Sequence, residues 1–412
     1  MDNRIYLRIR NYGPLSSGSS ALNDGLVSFP KYTILIGDQG AGKSTVAKLF
    51  STLSWLEKAF IRRNYEPKTF NLDRLLTLLE NQNLPREYIT ETTEIEYRGQ
   101  SHSILLSKRS VKVSIRSSSG YICPQIIYFP SERNVLSVID NPLEVNDLPA
   151  MVKQLASEFF NANRKIGKRK RQLFGDYKIA YDPDSRKSFI IDPEGRTSVV
   201  LSQSSSGLQS IAPLLVVSDY LSKGISEDFL DKLKKENGNI REVALGSIAD
   251  PMIGGKLKFF LDSGLKDNLR EDEVAHIKDV LKKYVNSCLW QIVEEPEQNL
   301  YPTSQVEVVK RLIDNTGYDG KLVLTTHSPY ILSVMNNFIF AHDQFQKYGK
   351  TVKGVKNSLL MAFEDVAAYK IENGTIRSLM DPESRMIDAT EIDECSSKIN
   401  SVFDRLMAME EG

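Results

Sequence analysis

The 412-residue chain holds little that would tie it to a covalent framework, a membrane or a polyanion. Its three cysteines, Cys123, Cys288 and Cys395, stand far apart, in neither zinc-ligand nor disulfide-framework spacing. Such a set reads as buried thiols in a reducing compartment. An excess of one charge is also missing: 53 Lys and Arg balance 53 Asp and Glu. Whole-chain charge therefore names neither nucleic acid nor a membrane surface as an obligatory partner. Long apolar runs are absent, since a stretch such as 211–217 is far too short to span a bilayer. Residues 1–7 alternate like a strand and lack the apolar stretch of a signal peptide. A cytoplasmic protein without a membrane partner is expected. The length allows two or three domains at about 150 residues each.

What is present is concentrated in a few motifs. Residues 37–44 read Gly37-Asp38-Gln39-Gly40-Ala41-Gly42-Lys43-Ser44, the pattern G-x-x-x-x-G-K-[ST]. An apolar strand-like run, 32–36, precedes it, and Thr45 begins a segment with helical spacing. Strand, glycine loop and helix together are the context this motif requires. Glycines let successive backbone N–H groups turn towards an anion, and the helix N-terminus adds partial positive charge. Lys43 is expected on the β- and γ-phosphates and the Ser44 hydroxyl on Mg²⁺. The cofactors implied are ATP and Mg²⁺.

A second apolar strand, ending Ile292-Val293, delivers Glu294-Glu295-Pro296-Glu297-Gln298-Asn299-Leu300-Tyr301-Pro302. Beside bound phosphates, Glu294 can hold the metal through water and Glu295 can polarise the attacking water. A third strand closes on Thr325-Thr326-His327-Ser328-Pro329, 32 residues after Glu295. A neutral His327 imidazole can hydrogen-bond the γ-phosphate or the water, or can simply be a satisfied histidine at a strand end. The fourth motif, Ser202-Gln203-Ser204-Ser205-Ser206-Gly207, leads into an apolar helix. It is either an anion site facing the nucleotide of a second subunit or a serine-capped helix start. Residues 164–171 carry six Lys or Arg in eight positions, without interleaved aromatics. The choice there is between phosphate-backbone contact and a solvated helix face.

Alternation and turn residues predict strands near 5–10, 91–97, 103–106, 111–116 and 126–129, with an antiparallel sheet beside the glycine loop. Helices are expected over 43–60, 71–80, 146–174 and 207–221. Residues 224–287 read as a charged, mostly helical block. Further strands are expected at 178–181, 188–191, 289–293, 322–325 and 367–371, and an acidic helix near 387–409. No internal repeat or long heptad array occurs.

In order, these motifs resemble the Walker A, Ser-Gly signature, Walker B and Thr-His-Ser series of the ABC-type ATPases. More narrowly, the chain resembles the RecF/SMC/OLD-like branch, including the AAA-family ATPases of bacterial anti-phage systems (PARIS-type, Septu-type and retron-associated). Asn11-Tyr12-Gly13-Pro14 and Tyr128-Phe129-Pro130-Ser131-Glu132-Arg133-Asn134 are similar to segments of that group. The resemblance covers about a third of the chain, near 1–60, 121–135, 200–220 and 289–335. It implies an α/β ABC-ATPase head: a P-loop core with an antiparallel lobe over 1–135 and 289–345, and a helical signature subdomain over 136–223. A helical insertion over 224–288 and a C-terminal strand and acidic helix over 346–412 would complete it.

By the same resemblance, Ser205, Ser206 and Gly207 would meet the partner subunit's γ-phosphate. Glu295 would be the catalytic glutamate and His327 the switch histidine, and 296–299 would begin a dimer-facing loop. The chain departs from the pattern in three ways, and it also lacks the acidic series of a Toprim nuclease after His327. Glu294 stands where many relatives have Asp, and Ser131 or Glu132 where a glutamine is expected. Ninety residues separate Ser205 from Glu295. The implied function is an ATP-hydrolysing, head-to-tail oligomer that regulates a separate effector such as a nuclease. The alternative is a RecF-like, DNA-binding repair ATPase. A transporter's ATP-binding subunit would call for a glutamine loop and a more compact chain, and a kinase for an acceptor site.

Overall fold

Runs of β-branched and aromatic residues between turns set the strands, and apolar residues at helical spacing set the helices. The computed structural model describes residues 4–16, 25–116, 120–139, 141–266, 269–350, 353–388, 390 and 401. It opens with β1 (Ile5–Tyr12), β2 (Val27–Phe29) and β3 (Tyr32–Ile36), then α1 (Lys43–Ile61) and α2 (Leu72–Glu80). Strands β4 (Ile89–Arg98), β5 (His102–Ser107), β6 (Ser110–Ile115) and β7 (Pro124–Phe129) follow. Helices α3 (Val135–Val138) and α4 (Ala150–Ile166) lead to β8 (Arg171–Phe174), β9 (Tyr177–Asp182), β10 (Lys187–Ile191) and β11 (Ser198–Val200). Next come α5 (Ser206–Ile225), α6 (Phe229–Lys235), α7 (Gly238–Leu245), α8 (Pro251–Ser263) and α9 (Glu271–Leu281). Strand β12 (Cys288–Glu294), α10 (Pro302–Thr316), β13 (Lys321–Thr326) and α11 (Pro329–Tyr348) precede β14 (Val366–Glu372) and β15 (Thr375–Ser378). The hairpin β16 (Met380–Asp381) and β17 (Met386–Ile387) comes last.

The architecture is α/β. Its centre is a six-stranded sheet in the order β15-β14-β3-β13-β12-β7, parallel except for β15. All seven residues of β12 are buried, as a strand covered on both faces requires. A separate antiparallel sheet, β2-β1-β4-β5-β6, stands beside it, as the alternating patterns of β1 and β5 predict.

Residues 136–223 are not purely helical. Helix α4 stops at Ile166, because Gly167 at φ +57 ends it, so only the first part of the basic stretch is on a helix. From Arg171 the chain is strand, and β8 to β11 form a four-stranded antiparallel sheet, β11-β10-β9-β8. Helices α6 to α9 enclose their own apolar cluster, including Leu233, Ile240, Leu257, Phe260 and Ile277. Side chains of Asp228, Asn237 and Asp250 cap α6, α7 and α8. Each such cap stabilises by about 1 kcal/mol. The expected acidic terminal helix begins, at Ile387, inside β17; apart from 388, 390 and 401 its remainder lies outside the described residues, as does Cys395. No helix among the described residues is long and apolar enough to cross a membrane.

Helix α1, which follows the glycine loop, is fastened to the antiparallel lobe through Glu57. Its fully buried carboxylate accepts from Ser101 N (2.5 Å), His102 N (2.9 Å) and the Tyr97 hydroxyl (2.9 Å). Glu57→Ala would leave these donors buried and unpaired. It is expected to lower stability by about 2–4 kcal/mol, measured by chemical denaturation.

Candidate nucleotide-binding site

The register of the parallel strands assembles the site. Ile36 pairs with Thr326, and Thr325 pairs with both Leu35 and Glu294. The residues just beyond, Gly37, His327 and Glu295, therefore emerge side by side at the carboxyl edge of the sheet. Open α/β sheets bind ligands along that edge. Glu295 N donates to Thr325 O at 2.9 Å and extends the pairing by one residue.

The glycine loop needs its glycines. Gly37, Gly40 and Gly42 have φ of +153, +76 and +110. A Cβ on Gly37 would lie 2.2 Å from the Ile371 carbonyl oxygen, because β14 passes directly alongside. Asp38, Gln39 and Gly40 are exposed, while Ala41 and Ser44 are half-buried and Thr45 is buried. Helix α1 starts from Gly42 with no side-chain cap, so its first N–H groups face the loop without a competing oxygen. Lys43 is buried, and its ammonium donates to the carbonyls of Gly37 and Asp38, both at 2.8 Å. Burial lowers its pKa, while Glu295, then Asp38, Glu297 and Glu294, draw it back up.

Glu294 is 4% exposed. Its carboxylate accepts from the Tyr128 hydroxyl and from Ser131 N (3.1 Å), so Ser131, which stands where a glutamine was expected, meets the carboxylate through its backbone. Glu295 sits at φ +44, a left-handed conformation costing a non-glycine residue about 1–2 kcal/mol. Arg133 holds it there. This fully buried guanidinium donates to Glu295 O (2.7 Å), Glu294 O (2.6 Å), Pro130 O (3.2 Å) and Ser210 O (3.1 Å). Burial pushes it down to about 10, against the pull of Glu297, Glu295 and Glu294. Glu297 fixes the third motif: one carboxylate oxygen accepts from the Thr326 hydroxyl and from His327 N, both at 2.7 Å. The His327 Nε2 lies 3.6 Å from Glu295 Oε1, beyond hydrogen-bond reach, and both side chains are 34% exposed.

The serine-rich segment does not cap its helix. Ser205 precedes α5 without a side-chain cap bond, and both Ser205 and Ser206 are exposed. The entry loop is braced by Gln209 instead, which donates to Ser202 O (3.0 Å) and Ser204 O (2.9 Å). Gly207 is close to the 296–300 loop: a Cβ there would lie 3.0 Å from Asn299 O. Asn299 donates to the Ser210 hydroxyl at 2.9 Å. Among the described residues no hydrogen bond joins 205–207 to 37–45.

These residues fit a magnesium–triphosphate. The strained glycines, the uncapped start of α1 and Lys43 would hold the phosphates. Ser44 and, through water, Glu294 would hold Mg²⁺. Arg133, Glu297, Tyr128 and Asn299 are contributions that motif reading did not assign. Arg133 and Tyr128 carried a signal as part of the 128–134 segment, and Glu297 and Asn299 only as part of the stretch read as a dimer-facing loop.

Comparison with known proteins is consistent with this geometry. A family model described as "AAA domain, putative AbiEii toxin, Type IV TA system" matches residues 289–333, the stretch holding both carboxylates and His327. That match supports an ATPase of this broad kind. No curated protein matches the chain. Among solved structures, the SMC head domain from Thermotoga maritima is similar at 12% identity, covering 91% of this chain and 97% of its own, with a TM-score of 0.36. An Smc head domain with an extended coiled coil, bound to the C-terminal domain of ScpA derived from Pyrococcus furiosus, is similar at 10% identity. It covers 97% of this chain and 99% of its own, with a TM-score of 0.37. At such scores these likenesses carry no argument about activity or partner.

Replacing Arg133 by Met would strand buried carbonyls on three segments. Stability is expected to fall by about 3–5 kcal/mol, read by urea denaturation. Arg133→Lys, with fewer donors in a less extended head group, should recover only part of it.

Proposed function

We propose that this chain is an ATP-binding, ATP-hydrolysing ABC-type ATPase whose copies pair head-to-tail and whose state controls a separate effector protein. The supporting observation is the strand register, which sets the glycine loop, Glu295 and His327 on one edge. Lys43 and the loop N–H groups bind the β- and γ-phosphates of the substrate. Mg²⁺, when bound, supplies charge neutralisation at the phosphate oxygens. Glu295 accepts a hydrogen bond from the attacking water and takes its proton as the P–O bond breaks to give ADP and phosphate. His327, one-third exposed beside Glu295, positions the water or the γ-phosphate. The exposed Ser205 and Ser206, at the uncapped start of α5, suit a phosphate brought by a second copy rather than by their own loop.

We assign the effector role to a bacterial anti-phage setting on the motif resemblance alone. The helical block 224–288, with an apolar cluster of its own, suits partner docking.

Glu295→Gln is expected to slow phosphate release by about a hundredfold or more while preserving ATP binding and the ATP-dependent dimer. Steady-state phosphate release and mass photometry read the two effects. Hydrolysis at the wild-type rate would remove Glu295 from its role. Activity per chain that is unchanged on dilution would remove the second copy.

A DNA-binding reading has one feature in its favour. Arg169 and Lys170 lie exposed between α4 and β8 with no ion pair among the described residues, whereas Lys168 is engaged by Asp184 at 2.7 Å. If that connection grips duplex DNA, Arg169→Ala/Lys170→Ala should reduce the salt slope of binding by about two. Fluorescence anisotropy across a salt series measures it.

A further inference from the structure

A cleft of about 670 Å³ opens between α4, β8, the C-terminal half of α5, and α6. Gln125 and Asn286 line it, at the amino ends of β7 and β12. It therefore lies at the opposite edge of the central sheet from Gly37, Glu295 and His327. Its volume falls within the range of about 300–1,000 Å³ typical of small-molecule sites. Part of its wall is apolar, with Leu173 and Leu215 buried behind it.

The charges of the cleft do not balance. Two of its carboxylates are already engaged: Asp219 by Arg311 (3.0 Å) and Asn315 (2.8 Å), and Glu227 by Lys235 (2.8 Å). Lys165, Arg171 and Lys223 also line it and make no ion pair or side-chain hydrogen bond among the described residues. Lys232 is half-buried and donates to two carbonyls, Ile225 O (2.8 Å) and Asn286 O (3.0 Å). That leaves one of its three ammonium donors unused. The remaining carboxyl, Glu158, has no partner among the described residues, and burial raises its pKa, which favours its neutral form. Four cations thus face at most one anion in a concave, partly apolar wall, which concentrates positive potential.

We propose that this cleft binds a small organic phosphate. Lys165, Arg171 and Lys232 would meet its charge, Glu158 would hydrogen-bond its polar edge, and its apolar body would lie on Leu173 and Leu215. The inference does not depend on the ATPase reading, since the two sites occupy opposite edges of the sheet.

The test is calorimetric titration of 1-naphthyl phosphate into the full chain, carried in a Lys43→Ala background so that the glycine loop does not compete. One saturable site is expected. Lys165→Glu/Arg171→Glu should weaken it by about a hundredfold or more, since two charged contacts are lost together. Lys68→Glu/Lys112→Glu, an equal charge change at exposed positions elsewhere, should leave it within about twofold. All four positions are exposed, so folding is not at stake. No saturable binding, an unchanged affinity in the first pair, or an equal loss in both pairs would overturn the proposal.

Discussion

Parallel pairing of β3, β13 and β12 in one register is the constraint on which the rest of the molecule depends. Side chains alternate across a strand, so a one-residue slip would turn Glu294 and Thr326 to the wrong face and misalign Gly37. The register is held by burial: β12 is covered throughout, and every residue of β13 but Lys321 is buried. A slip would expose the apolar side chains packed around Val293 and Leu324. Packing energy spread over the whole sheet thus determines which polar groups meet at its edge.

Between that edge and α5 stands a joint made of main-chain acceptors. Pro213 lies inside α5 and has no N–H, so the Gln209 carbonyl loses its helical donor. The Ser137 hydroxyl replaces it at 2.7 Å. One residue on, the Ser210 carbonyl accepts from Arg133. The same guanidinium grips Glu294 and Glu295 through their carbonyls, so it makes no demand on their carboxylates. A cation without a carboxylate partner is costly to bury, and four carbonyl dipoles offset that cost only if all three segments stay in place. The helix start bearing Ser206 and the strand end bearing Glu295 are thereby held as one piece.

Much of this could be read in the sequence, for identifiable reasons. The glycine loop, β3, β12 and β13 are local patterns, with fixed residue types at fixed spacing or short apolar runs. In the small sheet β8–β11 the strands near 178–181 and 188–191 were expected, whereas β8 and β11 escaped because both are short and partly solvent-facing, and β8 follows a basic run that extends the helical pattern past Gly167. Arg133 was visible as part of a segment, but its role was not. Its partners at Glu294 and Glu295 are carbonyls more than 160 positions away, and any residue type supplies a carbonyl. Glu297 was hidden for the opposite reason. Three glutamates in four positions look interchangeable until the Thr326–His327 turn selects one of them.

Lys43 carries a consequence of its own. Two of its three ammonium hydrogens are committed to the loop's own carbonyls, so the residue is a strut as well as a charge. Shortening or neutralising it unties Gly37 and Asp38 from the first turn of α1 at the same moment that it removes the cation. A weakened affinity in such a variant therefore combines lost scaffolding with lost attraction. Only a substituent that keeps the reach and the two donors while altering the charge could separate the two.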